Sequence, residues 1–344
     1  MGKNPHTFQG FRNNYPHDAH TFIDFLKWRW DRLWGRRSNN PKQGNYHFPL
    51  AKNDPAFLRQ NRTETTLTWI GHASFLLQLK GVNILTDPHL TGRASPLSWI
   101  GPKRVTPPGL ALEDLPVIDM VFISHNHYDH LDASTVKRLH EKQNSGRNPH
   151  FFVPLGLKIW FTRLGISKVT ELDWWESTQS FGFTLYAVPT QHFSARTPFN
   201  KNKTLWAGWV IAHPEFKFFF AGDTGYSPDF LEIGRRLGPF DLSALPIGAY
   251  EPRWFMKAMH INPEEAVQIH RDLNSRYSVA MHWGTFNLTD EPMDEPPKRL
   301  VAAREAAGLA PETFFLMQHG QTIHLDPLMN RHEKDKKSID LNAQ

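Results

Sequence analysis

The residues with the clearest chemical potential lie in one short run, SHNHYDH, which spans residues 124–130. The run follows the apolar segment MVFIS, so we expect it in a tight loop at the end of a buried strand. Such a loop can turn alternate side chains to opposite sides of one point, which lets His125 and His127 reach one metal ion. Asp129 and His130 then reach a second ion. Imidazole and carboxylate ligands suit zinc, and a site that keeps one open water position is of the catalytic type.

Three further candidate ligands stand at the ends of apolar segments. They are His192 in VPTQHFS, Asp223 in FFFAGDTG and His282 in VAMHWGTF. A lone histidine at a strand end is usually structural. These residues are therefore candidate ligands only because the run at 124–130 is also present. A carboxylate can bridge two metal ions, which makes Asp223 the expected shared ligand. The sequence therefore predicts two metals held by seven side chains, with room between them for a bridging hydroxide.

Composition limits what else can hold a metal. The chain has 344 residues and no cysteine, which excludes disulfides, thiolate zinc sites and a cysteine nucleophile. Any metal must therefore be bound by His, Asp or Glu. With 40% hydrophobic and 21% charged residues, the chain is long enough for one large globular domain or two smaller ones. No segment has the roughly 18 apolar residues that span a bilayer, and no signal peptide is evident.

Positive charge is concentrated at the N-terminus. Residues 1–62 contain eleven Lys or Arg and four Asp, whereas the whole chain has a net charge of +5. Residues 21–37 have apolar side chains at helical spacing, at Phe22, Leu26, Trp30 and Leu33. A basic amphipathic helix rich in Trp and Phe is typical of a membrane-surface helix. A helix packed on the domain, with its basic face in solvent, is the alternative that the sequence leaves open.

The remaining pattern positions the candidate ligands. We divide the chain into an N-terminal segment 1–62, a catalytic domain 63–328 and a polar tail 329–344. Residues 38–62 are expected to be extended, and the charged residues 331–344 to be disordered. Strands come in runs with helices between the runs, which suits an α/β fold of two sheets packed face to face with helices outside. The expected strands are 66–79, 82–88, 117–124, 183–194, 205–214, 216–225, 277–286 and 314–325, and the expected helices are 133–143, 154–165, 263–275 and 298–307.

HxHxDH followed by a later His, Asp and His resembles the metallo-β-lactamase superfamily. The resemblance extends to one family within it, the N-acyl-phosphatidylethanolamine-hydrolysing phospholipases D, over roughly residues 65–325. The segments that carry it are GPKR at 101–104, ISHNHYDHLD at 123–132, FVPLGL at 152–157, ELDWWE at 171–176, FFFAGDTGY at 218–226, GPFDL at 238–242, PIGAYEPRWFMK at 246–257, PEEAV at 263–267 and HWGTF at 282–286. Residues 1–60 match this family only loosely.

The resemblance implies an αββα sandwich of two mixed β-sheets and a phosphodiesterase with two zinc ions per chain. Matched motif by motif, one zinc is held by His125, His127 and His192, the other by Asp129, His130 and His282, and Asp223 bridges them. The implied reaction converts an N-acylated ethanolamine phospholipid to phosphatidic acid and an N-acylethanolamine. The resemblance also implies membrane association and homodimers.

Further residues have expected roles around these ligands. We hypothesise that a metal-bound hydroxide attacks phosphorus, that Asp129 or Asp223 orients it, and that His319 touches the phosphate. Asp87 and His72 are candidate outer partners of the metal ligands, and His260 is expected to be structural. An apolar channel for acyl chains is expected from the aromatic residues, and Arg253 is expected to steer the phosphate. The residues proposed to bind substrate are Arg253, Trp254, Phe255, Phe193 and Trp283, with Phe286 nearby.

Three alternatives remain at this point. A nuclease of the same superfamily would use the same chemistry, but nucleic-acid binding needs Lys and Arg beside the catalytic loops, so no nucleic-acid partner is expected. A lactone hydrolase cannot be distinguished from the ligands alone. A non-catalytic membrane-binding protein would be expected to lack some of the seven ligands. The protein is expected to be peripheral to a membrane and otherwise cytoplasmic.

Overall fold

Two β-sheets form the centre of the fold. The computed structural model describes residues 5–18, 21–33, 46–142, 147–197 and 199–326. Before the sheets, a short hairpin pairs β1 (His6–Thr7) with β2 (Gly10–Phe11). Within the described residues each large sheet has seven strands.

The first sheet, called here the N-terminal sheet, has the spatial order β16-β3-β4-β5-β6-β7-β8. Its strands are β3 (Thr66–Gly71), β4 (Ser74–Leu79), β5 (Val82–Thr86), β6 (Met120–Phe122), β7 (His150–Pro154), β8 (Val169–Leu172) and β16 (Thr322–His324). The C-terminal sheet has the order β15-β14-β13-β12-β11-β10-β9. Its strands are β9 (Ser177–Ser180), β10 (Phe183–Val188), β11 (Gly208–His213), β12 (Phe216–Phe220), β13 (Phe240–Pro246), β14 (Ser275–Met281) and β15 (Phe314–Phe315).

Eight α-helices accompany the two sheets within the described residues. They are α1 (Phe22–Leu33), α2 (Pro55–Gln60), α3 (Ala133–Lys142), α4 (Lys158–Arg163), α5 (Asp229–Leu237), α6 (Arg253–Met256), α7 (Pro263–Asp272) and α8 (Glu295–Ala306), with a 3₁₀ turn at Leu112–Asp114. None of the helices in the described ranges has both the length and the apolar character needed to cross a membrane.

Successive side chains of each strand point to opposite faces of its sheet, and this explains the layered packing of sheets and helices. Trp69 and Phe75 point from the N-terminal sheet into the core between the sheets, where Trp209 of β11 packs. The next residues along the same strands, Ile70 and Leu76, point to the outer face and pack in a second core. This second core includes side chains of α3 and α4, whereas side chains of α5, α7 and α8 join the first core. Because successive side chains of a strand point to opposite faces, the sequence buries both faces of each sheet. The predicted αββα sandwich is confirmed.

Strand direction brings the ligand-bearing loops to one edge. β12, β13 and β14 are parallel, and β10 runs in the same direction as β12 because both are antiparallel to β11. In the N-terminal sheet β5 and β6 are parallel, and β3 shares their direction. The loops that follow these strands therefore leave the two sheets on the side where the candidate ligands gather.

Some predicted elements have different bounds. The segment predicted as one strand at 66–79 is two strands, because a turn at His72, with a φ of 54°, reverses the chain between β3 and β4. The predicted last strand is also divided, and its halves β15 and β16 lie in different sheets. The predicted helix at 154–165 is shorter, because β7 extends to Pro154 and Gly156 turns the chain with a φ of 91°.

Other elements were not predicted. They include α2, which lies in the segment 38–62 that was expected to be extended, and β7, β8, β9, α5 and β13. Residues 34–37 of the predicted N-terminal helix lie outside the described residues, as do the predicted polar tail 329–344 and its expected disorder.

Candidate metal centre

Three imidazole nitrogens converge at the first cluster. Nε2 of His125 lies 2.9 Å from Nδ1 of His127, and Nε2 of His192 lies 3.2 Å from the same atom. Burial lowers the pKa of His125 and His192 well below the ordinary value and lowers the pKa of His127 to about 4. The three rings are therefore neutral at pH 7, which is the form that binds metal.

The second cluster combines two histidines with Asp129. Oδ2 of Asp129 lies 3.4 Å from Nε2 of His130 and 3.6 Å from Nε2 of His282. His282 has left-handed backbone geometry, with a φ of 64°, directly after β14. Backbone in this region is costly for a non-glycine residue and is concentrated at functional sites.

Asp223 lies between the two clusters. Its Oδ1 is 3.1 Å from Nε2 of His282, and its Oδ2 is 3.1 Å from Nε2 of His130 and 3.9 Å from Nε2 of His192. The side chain is therefore close to candidate ligands of both clusters, which makes it the candidate for a bridging carboxylate. Burial raises the pKa of Asp223, but His130 and His282 outweigh burial and hold it well below the ordinary value.

These residues fit a metal centre. Nε2 of His130, Nε2 of His282 and Oδ1 of Asp223 are buried and have no hydrogen-bond partner among the described residues. Unsatisfied buried polar atoms are rare and need an explanation such as an ion. Subsets of these residues place one donor atom each within 4.8 Å of one another, namely His125 with His127 and His192, and Asp129 with His130, His282 and His72.

Outer residues orient the ligand rings. Asp87 accepts from Nδ1 of His130 at 2.7 Å and from the backbone and hydroxyl of Ser124 at 2.7 and 2.6 Å. The Ser124 hydroxyl also lies 2.8 Å from Nδ1 of His125. Nδ1 of His192 lies 2.9 Å from the Met259 carbonyl. In each case the outer nitrogen is engaged, so the ring presents its other nitrogen to the cluster.

His72 was predicted to be an outer partner of the metal ligands, and His260 was predicted to be structural. Both rings lie beside carboxylates of the two clusters. Nε2 of His72 donates to Oδ2 of Asp129 at 3.0 Å. Nδ1 of His260 lies 3.8 Å from Oδ2 of Asp223 and has no hydrogen-bond partner among the described residues. Burial lowers the pKa of His260 to about 4 and that of His72 well below the ordinary value, so both rings are neutral at pH 7. The spacing of His260 in AMHINPEE gave no signal of this position.

The predicted substrate residues have varied surroundings. Phe193 packs against His127, with ring centres 4.5 Å apart, and Trp254 is half-exposed. Phe255 stacks on Trp28 of α1 at 5.5 Å. Trp283 is part of the aromatic layer around Trp69, with ring centres 5.2 Å apart. Their contacts with substrate stay predictions.

Arg253 and His319 are engaged by the protein. The Arg253 guanidinium forms two hydrogen bonds to Glu265, of 2.9 and 2.8 Å, and donates to the His260 carbonyl at 2.9 Å. His319 is buried, and its Nε2 lies 2.9 Å from the Thr285 hydroxyl. Burial lowers the pKa of His319 to about 3, so its ring is neutral. These contacts position loops around the centre, and the proposed contacts with phosphate stay predictions.

Sequence reasoning missed a side chain from the N-terminus. The Asn13 side chain hydrogen-bonds with both the backbone N–H and the carbonyl of His192, at 3.1 and 2.9 Å. The two residues are 179 positions apart, so no local motif could have indicated the contact.

A family model and two known proteins each match more than half of this chain. The family model described as the beta-lactamase superfamily domain matches residues 82–283, more than half of the chain. A Caenorhabditis elegans protein named N-acyl-phosphatidylethanolamine-hydrolyzing phospholipase D 1 is 45% identical over 262 residues, which cover 72% of this chain and 72% of that protein. A Saccharomyces cerevisiae protein named N-acyl-phosphatidylethanolamine-hydrolyzing phospholipase D, mitochondrial, is 37% identical over 248 residues, which cover 70% of this chain and 52% of that protein.

Solved structures support the fold alone. A metallo hydrolase, Igni18, from Ignicoccus hospitalis aligns with a TM-score of 0.55 at 24% identity, covering 76% of this chain and 98% of that one. An isothiocyanate hydrolase from Delia radicum gut bacteria aligns with a TM-score of 0.57 at 19% identity, covering 75% of this chain and 98% of that one.

Proposed function

The chain belongs to the beta-lactamase superfamily and, within it, to the family of the N-acyl-phosphatidylethanolamine-hydrolysing phospholipases D, and from that premise we propose its substrate and mechanism. It is a metal-dependent hydrolase of the phospholipase D type. We propose that it hydrolyses N-acyl-phosphatidylethanolamine, or a related phospholipid, to phosphatidic acid and an N-acylethanolamine.

The similarity to the N-acyl-phosphatidylethanolamine-hydrolysing relatives supports the substrate, and the position of Asp223 supports the mechanism. Its carboxylate lies between two separate sets of ligands, which supports a centre with two metals. The donors are imidazole and carboxylate with no sulfur, which favours zinc. Two bound zinc ions would neutralise the charge of a phosphodiester and lower the pKa of bound water to about 7.

We propose that Asp129 orients a water molecule at the more exposed side of the centre. Its side chain is 14% exposed, against 2% for Asp223 and 0% for His130. Burial raises the pKa of Asp129, but the nearby His130 and His282, together with the hydrogen bond from His72, hold it well below the ordinary value. The carboxylate is therefore ionised at pH 7, and the N–H of His72 fixes one oxygen while the other can accept from water.

We propose that His260 donates a hydrogen bond to the substrate phosphate. The His260 ring is neutral at pH 7, so it has one N–H donor and no positive charge. Arg253 holds the loop on which this ring lies, because its guanidinium binds both the His260 carbonyl and Glu265 of α7. We therefore assign Arg253 first to positioning His260, and its direct steering of phosphate stays a prediction.

The surface around the centre suits a lipid substrate. Helix α1 packs on the domain through Trp28, which stacks on Phe255 and donates to Asp290 at 3.0 Å. Other apolar side chains of this helix stay exposed, with Leu26 at 49% and Trp30 at 57%. An exposed apolar helix face on the domain that holds the metal centre favours access from a membrane surface.

Other consequences of the resemblance stay predictions. They are homodimer formation, peripheral attachment to a membrane, and an otherwise cytoplasmic location. Sedimentation of the purified protein tests the dimer, and fractionation of cells tests the attachment.

A substrate panel tests the proposal. The purified chain is assayed on N-acyl-phosphatidylethanolamine in detergent micelles, beside phosphatidylethanolamine, single-stranded RNA and a simple lactone, with metal measured on the same sample. We expect two zinc ions per chain and cleavage of the N-acylated lipid that stops on chelation. Cleavage of RNA or the lactone with the lipid intact would overturn the substrate.

A further inference from the structure

The N-terminal strap, defined as residues 5–18, reaches the metal centre through Asn13. Nδ2 of Asn13 donates to the His192 carbonyl at 2.9 Å, and the His192 N–H donates to Oδ1 of Asn13 at 3.1 Å. One side-chain amide therefore pairs with both backbone polar groups of a candidate ligand, as a neighbouring strand does in an antiparallel ladder.

The orientation of this amide is fixed by a third group. The indole N–H of Trp206 donates to Oδ1 of Asn13 at 3.1 Å, and it also donates to the Thr190 carbonyl at 2.9 Å. Two N–H donors therefore face Oδ1, and a carbonyl acceptor faces Nδ2. An asparagine satisfies this pattern, whereas an aspartate can only accept.

The strap is anchored on the segment that follows His192. The Phe11 N–H donates to the Asn202 carbonyl at 2.9 Å, and Lys203 donates to the Gln9 carbonyl at 2.7 Å. A Cβ at Gly10, whose φ is 145°, would lie 2.1 Å from the Asn202 carbonyl oxygen, so only glycine fits there. Asn14 points elsewhere and donates to Asp229 at 2.8 Å.

Gln191 is held by Gly225 and Thr224, and the backbone groups of the next residue, His192, pair with Asn13. Strand β10 ends at Val188, so His192 lies beyond the ladder that β10 forms with β11. Among the described residues, Asn13 is the partner of both the His192 N–H and its carbonyl. The Met259 carbonyl fixes which nitrogen of the ring faces inward, but the position of the ring follows the backbone.

We infer that Asn13 is a positioning residue for the metal ligand His192, and that the strap is part of the structure of the metal centre. The inference rests on the proposed function only in taking His192 as a ligand. Without the amide, two buried backbone groups lose their partners and the ring loses its fixed position. Loss of an outer partner of a metal ligand typically weakens metal binding by about 10- to 100-fold.

Three variants test this inference. Asn13→Ala removes both hydrogen bonds to His192 together with that from Trp206, and Asn13→Asp keeps only the acceptor. Asn14→Ala is a control that loosens the same strap without touching His192. Each metal-free protein is titrated with Zn²⁺ against a competing chelator and with Co²⁺ by visible absorption. Thermal unfolding of the metal-free proteins confirms that the compared variants are folded.

We expect Asn13→Ala to weaken one of two metals by about 10- to 100-fold and to change the Co²⁺ absorption of that ion, with Asn13→Asp intermediate. Asn14→Ala should bind both metals like the wild type. Wild-type binding by Asn13→Ala would overturn the inference, as would equal weakening by Asn13→Ala and Asn14→Ala. Because the measurement is metal binding, failure of the wild type to hydrolyse lipid would count against the proposed function alone.

Discussion

Oδ2 of Asp87 lies 2.7 Å from Nδ1 of His130, and both side chains are fully buried. Burial raises the pKa of Asp87, although the contacts with His130 and Ser124 lower it in part. The carboxylate orients the ring so that Nε2 faces the cluster.

We predict that Asp87→Asn weakens metal binding by about 10- to 100-fold, as measured by chelator competition. Asp119→Asn is the control, because Asp119 also accepts a backbone N–H, from Asn83 at 2.8 Å, but touches no candidate ligand. Equal metal binding by the Asp87 variant and the wild type would contradict the assigned role.

Asp223→Asn should abolish turnover while the protein stays folded. An amide cannot supply the negative charge that a bridging ligand shares between two ions, so the loss should exceed the about 100-fold effect of outer partners. Metal content and kcat/KM are measured on the same sample, with Asp241→Asn of the surface pair Asp241–Arg276 as control. Near-normal turnover by Asp223→Asn would disprove the assigned bridging role.

The stability of the metal-free protein should fall as pH rises from about 6.5 to 9. Burial lowers the pKa of His282, but Asp223 and Asp129 outweigh it and raise the pKa to about 9. Between the unfolded value near 6.5 and this folded value, the folded state holds a proton that the unfolded state has lost. This contribution is therefore fully present below pH 6.5 and is lost as pH rises through about 9.

Denaturant unfolding with and without zinc, at several pH values, checks this expectation. Metal must displace the proton from His282, so zinc binding near pH 7 should release protons and strengthen toward pH 9. A His282→Gln variant should lose part of this pH dependence in the metal-free state, and the rest should remain because Asp223 and Asp129 outweigh burial and raise the pKa of His130 well above its ordinary value too. A metal-free wild type whose stability rises over this range would contradict the assigned charge state.

A double variant, Leu26→Ser with Trp30→Ser, should bind phospholipid vesicles at least about tenfold more weakly. Burying each apolar side chain in the membrane surface would contribute about 1.5–3 kcal/mol to binding. The two side chains are exposed, whereas Trp28 of the same helix is buried against the domain. Leu231→Ser is a matched control, because Leu231 is 53% exposed on α5. Vesicle flotation measures binding, and turnover of a short-chain substrate should stay unchanged. Undiminished vesicle binding by the double variant would contradict a membrane contact through α1. It would favour the alternative, a helix packed on the domain with its basic face in solvent.

Local patterns in the sequence predict much of the metal centre. His125, His127, Asp129 and His130 lie within six residues, so their proximity is fixed by a single loop. Candidates farther along the chain are recognisable because each ends an apolar strand, and strands of one direction present their ends at one edge of a sheet.

Contacts across the fold were not predictable in this way. Asn13 meets His192 only because the strap crosses the loop at 194–204, and His260 approaches Asp223 through a loop held by Arg253. Strand β13 escaped notice because FDLSALP has neither strict alternation nor β-branched residues, although it is buried between two parallel neighbours. Such features depend on tertiary neighbours, and one sequence does not contain that information locally.

The products of lipid hydrolysis test the central claim most directly. Purified protein is incubated with N-acyl-phosphatidylethanolamine in ¹⁸O-water, and the products are identified by mass spectrometry with and without chelator. We predict phosphatidic acid containing ¹⁸O and unlabelled N-acylethanolamine, with no reaction after chelation. Diacylglycerol with phospho-N-acylethanolamine, or an intact lipid in the presence of two bound zinc ions, would contradict the assignment as a phospholipase D acting on this substrate.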